Sequence, residues 1–190
     1  MKDVILNSEV EEDAVWKKIE DDLSNDEVLD YQVVIPNGGK QIVLNIDVDL
    51  GGGFEGGYAS TSLSSILSNK NSFRFAIHKE DFIDEIGKFF GMQDVKTGYP
   101  DFDKKIIVKT NQEELVKEIF SDEKVRKVIL SLNDFSFGIH THHVSGSKEP
   151  FLELIIDDAI TNIIKIKEMY RAFYQVLTSI EGIRSERLPV

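Results

Sequence analysis

The sequence predicts an α+β protein: a mainly antiparallel sheet with helices packed on one face and a long C-terminal helix. Three observations carry that expectation. Strand-like runs come in pairs joined by turn-forming residues, without the regular βα alternation of a parallel sheet. Within Gln41–Leu50, Ile42, Leu44, Ile46 and Val48 alternate with Gln41, Asn45, Asp47 and Asp49, giving one dry and one wet face. Near the C-terminus, Ile163, Ile166, Tyr170, Phe173, Leu177 and Ile180 recur at alternating spacings of three and four, the stripe of an amphipathic helix.

The elements follow in order. Ser8 and Glu11 form an S-x-x-E capping box that opens a helix to about Leu23, with Val15, Trp16, Ile19 and Leu23 along one side. Tyr31–Ile35 and Gln41–Leu50 read as strands joined by Pro36-Asn37-Gly38-Gly39, a hairpin signal. Tyr58–Leu67, rich in Ser and Thr, fits either strand or helix. Phe73, Phe75 and Ile77 alternate with Arg74 and His78 and mark a strand. The stripe Phe82, Ile83, Ile86, Phe89 and Phe90 predicts a helix ending at Gly91. Phe102–Lys109 is expected as a strand, followed by two short helices capped by Asn111 and Ser121. Phe135–His142 and Phe151–Ile156 form a hairpin around VSGSKEP, and the last helix is expected over about Asp157–Glu181.

The 190 residues, 41% hydrophobic and 29% charged, suit one soluble domain. No apolar run approaches the roughly 20 residues that span a bilayer, and the N-terminal apolar run is too short for a signal-peptide core. A cytoplasmic location without membrane contact is expected. With no cysteine, disulfides and thiolate metal sites are excluded. The net charge of −12 is concentrated: residues 1–30 hold eleven acidic and three basic residues, leaving −4 on the remainder. The organisation expected is an acidic helical arm over 1–30 and a single α+β domain over 31–190. Neither part has the basic surplus that draws nucleic acid.

Residues 46–61, IDVDLGGGFEGGYAST, contain a literal G-x-G-x-x-G in Gly51, Gly53 and Gly56. Such a fingerprint works in a parallel β-α-β unit, where a pyrophosphate sits on a helix N-terminus. Here the preceding strand belongs to a hairpin, and Asp47, Asp49 and Glu55 oppose a phosphate. The loop is read as a connection or bulge, and no nucleotide cofactor is expected.

The sharpest chemical signal is FSFGIHTHH at 135–143. If Phe135, Phe137 and Ile139 face the core, His140 and His142 share the opposite face about 7 Å apart. The expected hairpin register sets Glu153 beside His140. His140, His142 and Glu153 are therefore a candidate zinc set, two imidazoles and a carboxylate with a position left for water. The same residues also read as the polar outer face of a hairpin or a pH-sensitive patch. The D-x-D pairs Asp47/Asp49 and Asp101/Asp103 suit Mg²⁺ in principle, but read as strand-edge or turn polarity. No Ser/His/Asp set stands out.

Gly91, Asp94, Val95, Thr97, Gly98, Phe102 and Asp103 match a G-x-x-D-[IV]-x-T-G-x-x-x-F-D core. Through it the chain resembles an uncharacterised bacterial domain-of-unknown-function family, loosely over about 55–181. Some relatives are membrane-tethered. The resemblance implies a fold and no catalytic residue; Thr97-Gly98 and Pro100-Asp101 read as turn chemistry, with Asp103 placed to cap backbone donors. The leading expectation is a non-enzymatic binding or scaffold domain with a protein partner or self-association. The alternatives are a zinc-dependent hydrolase using His140, His142 and Glu153, and an acidic inhibitor that blocks a basic partner with its arm.

Overall fold

The computed structural model describes residues 12–24, 29–52, 56–68, 72–79, 92–144 and 146–182. The capping box at Ser8 and Glu11 and the helix expected over 82–90 lie outside them. Helix α1 (Glu12–Leu23) precedes a three-stranded meander, β1 (Asp30–Asn37), β2 (Lys40–Asp49) and β3 (Tyr58–Ile66). Then come β4 (Phe75–Lys79), β5 (Gln93–Val95), α2 (Pro100–Asp103), β6 (Ile106–Thr110), α3 (Glu113–Ile119) and α4 (Glu123–Ser131). The hairpin β7 (Phe135–Val144) and β8 (Ser147–Ile156) leads into α5 (Ile163–Glu181). The eight strands among the described residues form one sheet in the order β1-β2-β3-β8-β7-β4-β6-β5, every neighbouring pair antiparallel. This is the α+β architecture expected.

The β7–β8 hairpin welds the meander to the second group of strands. Its register pairs Phe135 with Ile156, Phe137 with Leu154 and Ile139 with Leu152. On β8, Leu154 pairs onward with Leu63 of β3, and Leu63 with Leu44 of β2. One apolar row thus crosses the sheet, and helices α1, α3, α4 and α5 bury their stripes against that face. Phe173 of α5 stacks on Phe137 at 5.8 Å, and Trp16 of α1 meets Tyr170 edge-on at 4.9 Å. The α5 stripe therefore closes the core, with Ile166, Tyr170, Phe173, Leu177 and Ile180 all buried. The helix of the acidic arm joins the same layer: Val15, Trp16, Ile19 and Leu23 are buried, while Glu20 and Asp21 face solvent.

Several boundaries differ from expectation for local reasons. Tyr58–Ile66 is a strand, because it must pair both β2 and β8. Phe102 does not begin a strand. Pro100 opens the single turn α2, where its missing N–H costs nothing, and Phe102 packs beneath it at 5.6 Å from Phe120. Asn111 is not a helix cap: its amide accepts from Arg74 N at 2.8 Å and donates to Ser72 O, fastening the entry to β4. Gln112 takes the cap position of α3 without a side-chain bond. Asp122, not Ser121, caps α4 by accepting from Lys124 N at 2.7 Å. Helix α5 starts at Ile163, six residues later than the expected Asp157. Thr61 donates to Asp158 O at 2.7 Å and accepts from Ile160 N at 2.8 Å, holding that stretch extended until Asn162 caps the helix.

Gly38 and Gly39, with φ of 57° and 78°, make the tight turn between β1 and β2. A Cβ on Gly38 would also lie 2.7 Å from the Tyr174 hydroxyl, so the turn is fitted against α5.

Candidate functional site

The glycine loop joins two neighbouring antiparallel strands. The strand before it, β2, is antiparallel to both β1 and β3, and the chain re-enters the sheet at Tyr58 as a strand. Among the described residues the next element is strand β3 rather than a helix N-terminus, unlike the anion-binding half of a dinucleotide site. Asp49 accepts from Gly51 N at 2.9 Å, and a Cβ on Gly57 would collide with Asp49 O. These glycines permit a close backbone crossing. Gly53 lies outside the described residues.

Alternation along β7 puts Phe135, Phe137 and Ile139 into the core, with His140 and His142 on the other face, as expected. The register differs in one detail. Glu153 pairs directly with Gly138, and its carboxylate reaches past His140 to accept from His142 Nε2 at 2.7 Å. Gly138 is itself buried. Its own constraint is on the neighbouring strand: a Cβ there would lie 2.5 Å from Phe75 O. His142 also rests edge-on against Phe151, with ring centroids 5.1 Å apart.

Because a carboxylate only accepts, Nε2 of His142 carries the proton in this bond. That nitrogen is not a metal ligand while the bond stands. Of the three candidate zinc donors, the fold joins His142 and Glu153; among the described residues no group of three or more His, Asp or Glu is arranged to hold a metal ion. A buried polar pair lies further along the same face. His78 and Ser136 are direct cross-strand neighbours, both buried, and His78 Nδ1 donates to Lys79 O at 2.8 Å.

The two D-x-D pairs do structural work. Asp47 accepts from the Tyr58 hydroxyl at 2.7 Å. Asp103 accepts from Thr97 N at 2.8 Å, Thr97 Oγ1 at 2.7 Å and Gly98 N at 2.9 Å. Burial alone would raise the Asp103 pKa, but the Thr97 hydroxyl, the two backbone N–H groups and Lys96 outweigh it and hold the carboxyl below its ordinary value. Gly98, at φ 88°, supplies the turn. The T-G-x-x-x-F-D residues are thus a loop knot, steadied by Arg126 lying 3.6 Å over the Tyr99 ring while it donates to Phe120 O and Ser121 O.

The feature that sequence reasoning missed is the sheet face opposite the helices. Among the described residues no helix covers it over β1, β2, β3 and β8. Its rows run Val34–Val43–Ser64–Glu153 and Ile66–Phe151–His140, with Asn45, Ser62 and Ile155 alongside. Ile66 is 50% exposed, and Val34, Val43, Phe151 and Ile155 are half-buried. The signal was available only once Tyr58–Ile66 was known to be a strand, since a helical reading scrambles which of its residues share a face.

No protein-family model and no curated protein matches the chain. Among solved structures it is similar to the mycobacterial trehalose monomycolate transport factor A, TtfA, with a TM-score of 0.51 over 92% of this chain and 96% of that one, at 7% identity. At that identity the likeness establishes a shared fold. Among the described residues no helix is long and apolar enough to cross a membrane.

Proposed function

We propose that the chain is a non-enzymatic binding domain that offers the uncovered sheet face to a protein partner. The observation that carries this reading is the direct cross-strand pairing of Val34 with Val43 and of Ile66 with Phe151 on a face that no helix among the described residues covers. Partly exposed apolar pairs framed by Asn45, Ser62, Ser64 and Glu153 have the make-up of an interface centre with a polar rim. The knot around Asp103 supports the same reading of the family resemblance, as shared architecture rather than shared chemistry. A cytoplasmic setting accompanies the proposal. The zinc-hydrolase alternative needs a third donor beside His142 and Glu153, and the inhibitor alternative needs acidic residues beyond those of the docked α1.

The test compares the wild type with Ile66→Lys as bait in an extract of the native cell. A specific partner, or a second copy of the chain, should be retained by the wild type and fall by about tenfold with Ile66→Lys, the factor that 1.4 kcal/mol represents. Equal retention by both would sink the assignment to this face. Zinc-dependent hydrolysis abolished by His142→Ala would replace it with the enzyme reading.

A further inference from the structure

On the helical side of the molecule, an open trough of about 550 Å³ runs between α4 and α5. Its floor is apolar, formed by Val125, Val128 and Ala172. Lys124 on α4 and Arg171 on α5 stand on its two walls, both exposed and without an ion-pair partner among the described residues. Lys127 adds a third cation, paired to Glu123 at 2.6 Å. Of the two acidic residues in the lining, Asp122 is committed to capping α4, and Glu168 is exposed on α5. The trough lining thus carries three cations against two carboxylates, a local cationic excess on a chain of net charge −12.

The wall positions 124, 128 and 131 on α4 and 168, 171, 172 and 175 on α5 recur at helical spacing, so two stripes face each other over about two turns, roughly 10 Å. That shape accepts a third helix laid along the groove between two others. A small molecule fits it poorly, because ligand pockets enclose most of their ligand, whereas here the walls are exposed side chains. We infer that this trough binds a short amphipathic helix of acidic character, its apolar side on Val125, Val128 and Ala172 and its carboxylates over Lys124 and Arg171. The site lies away from the uncovered sheet face and does not depend on the function proposed for it.

The probe is a fluorescein-labelled 15-residue synthetic helix with Leu at i, i+3, i+4 and i+7 flanked by Glu, and a twin with Lys in place of every Glu. Anisotropy titrations are run on the full chain, on Arg171→Glu, on the double variant Lys124→Glu/Arg171→Glu, and on Ile66→Lys. The Glu probe should bind the wild type, weaken at least tenfold with Arg171→Glu and further with the double variant, and weaken with added salt. The Lys probe should bind the double variant better than the wild type, which separates lost charge from lost fold. Ile66→Lys should bind the Glu probe like the wild type. Absence of binding at half-millimolar protein, equal binding of both probes, or indifference to Arg171→Glu would each overturn the inference. Displacement of the Glu probe by micromolar decanoate would overturn it in favour of a small-anion cleft.

Discussion

The two faces of the β7–β8 hairpin are built from neighbouring residues and behave as different materials. Phe137 and Leu154 pair on one face, sealed under α5; Gly138 and Glu153 pair on the other, where exposed His142 donates to the Glu153 carboxylate. The backbone register is common to both. What differs is the cover: the helical layer converts one row into packed core, whereas on the second face His142 bonds Glu153 and the apolar Phe151 and Ile155 stay half-buried. Stability therefore resides in the covered face, and recognition is assigned to the uncovered one.

The largest expected effect tests that division at the covered row. Phe137→Ala removes a ring held between Phe75 and Phe173, and should cost about 3–5 kcal/mol in denaturant unfolding. A loss below about 1 kcal/mol would mean the covered face is loosely packed. Trp16→Ala should cost about 3 kcal/mol by the same mechanism. The native Trp16, 6% exposed against Tyr170, should show blue-shifted, quencher-resistant fluorescence; emission like that of free tryptophan would detach α1 from the layer.

A middle-sized effect is expected at the loop knot. Asp103→Ala leaves Thr97 and Gly98 donors without their acceptor and should cost roughly 1–3 kcal/mol. The sign of its pH dependence follows from the lowered pKa. The folded state favours the ionised carboxyl, so the contribution is complete above the ordinary aspartate value of 3.8 and is lost as pH falls through the lower folded-state value. Asp103→Asn should flatten the acid limb of a stability–pH curve, and an unchanged limb would remove Asp103 as its source.

The smallest effect belongs to the uncovered face. Ile66→Ser and His142→Gln should each change unfolding free energy by no more than about 0.5 kcal/mol, as surface substitutions do. A cost comparable to that of Phe137→Ala would show that this face is covered in the folded protein and unfit for a partner.

The contrast also shows what the sequence could and could not convey. Alternation in Gln41–Leu50 and Phe135–His142 reported which residues share a face, because side chains on a strand alternate with period two; that Ser136 and Gly138 are buried as well was not legible from it. The α1 and α5 stripes were legible for the same reason at period 3.6. Strand β5, three residues without alternation, carries no periodic signal. Phe102 was misassigned because an apolar residue after Pro100 looks the same whether it leads a strand or plugs the core beneath one helical turn. Pairing of Glu153 with Gly138 rather than His140 was out of reach too: residue types fix the face, while the turn length fixes the register. The trough between α4 and α5 joins elements more than thirty residues apart, and no local pattern announces it.

The central claim, that recognition uses the uncovered sheet face, is tested most directly by photo-crosslinking in the native cell with benzoylphenylalanine in place of Ile66. A control carries the same group at Asn133, which is exposed in the loop between α4 and β7. A discrete covalent adduct with one protein, or with a second copy of the chain, from position 66 and none from position 133 is the predicted result. Adducts of equal yield at both positions, or none at position 66, would contradict it.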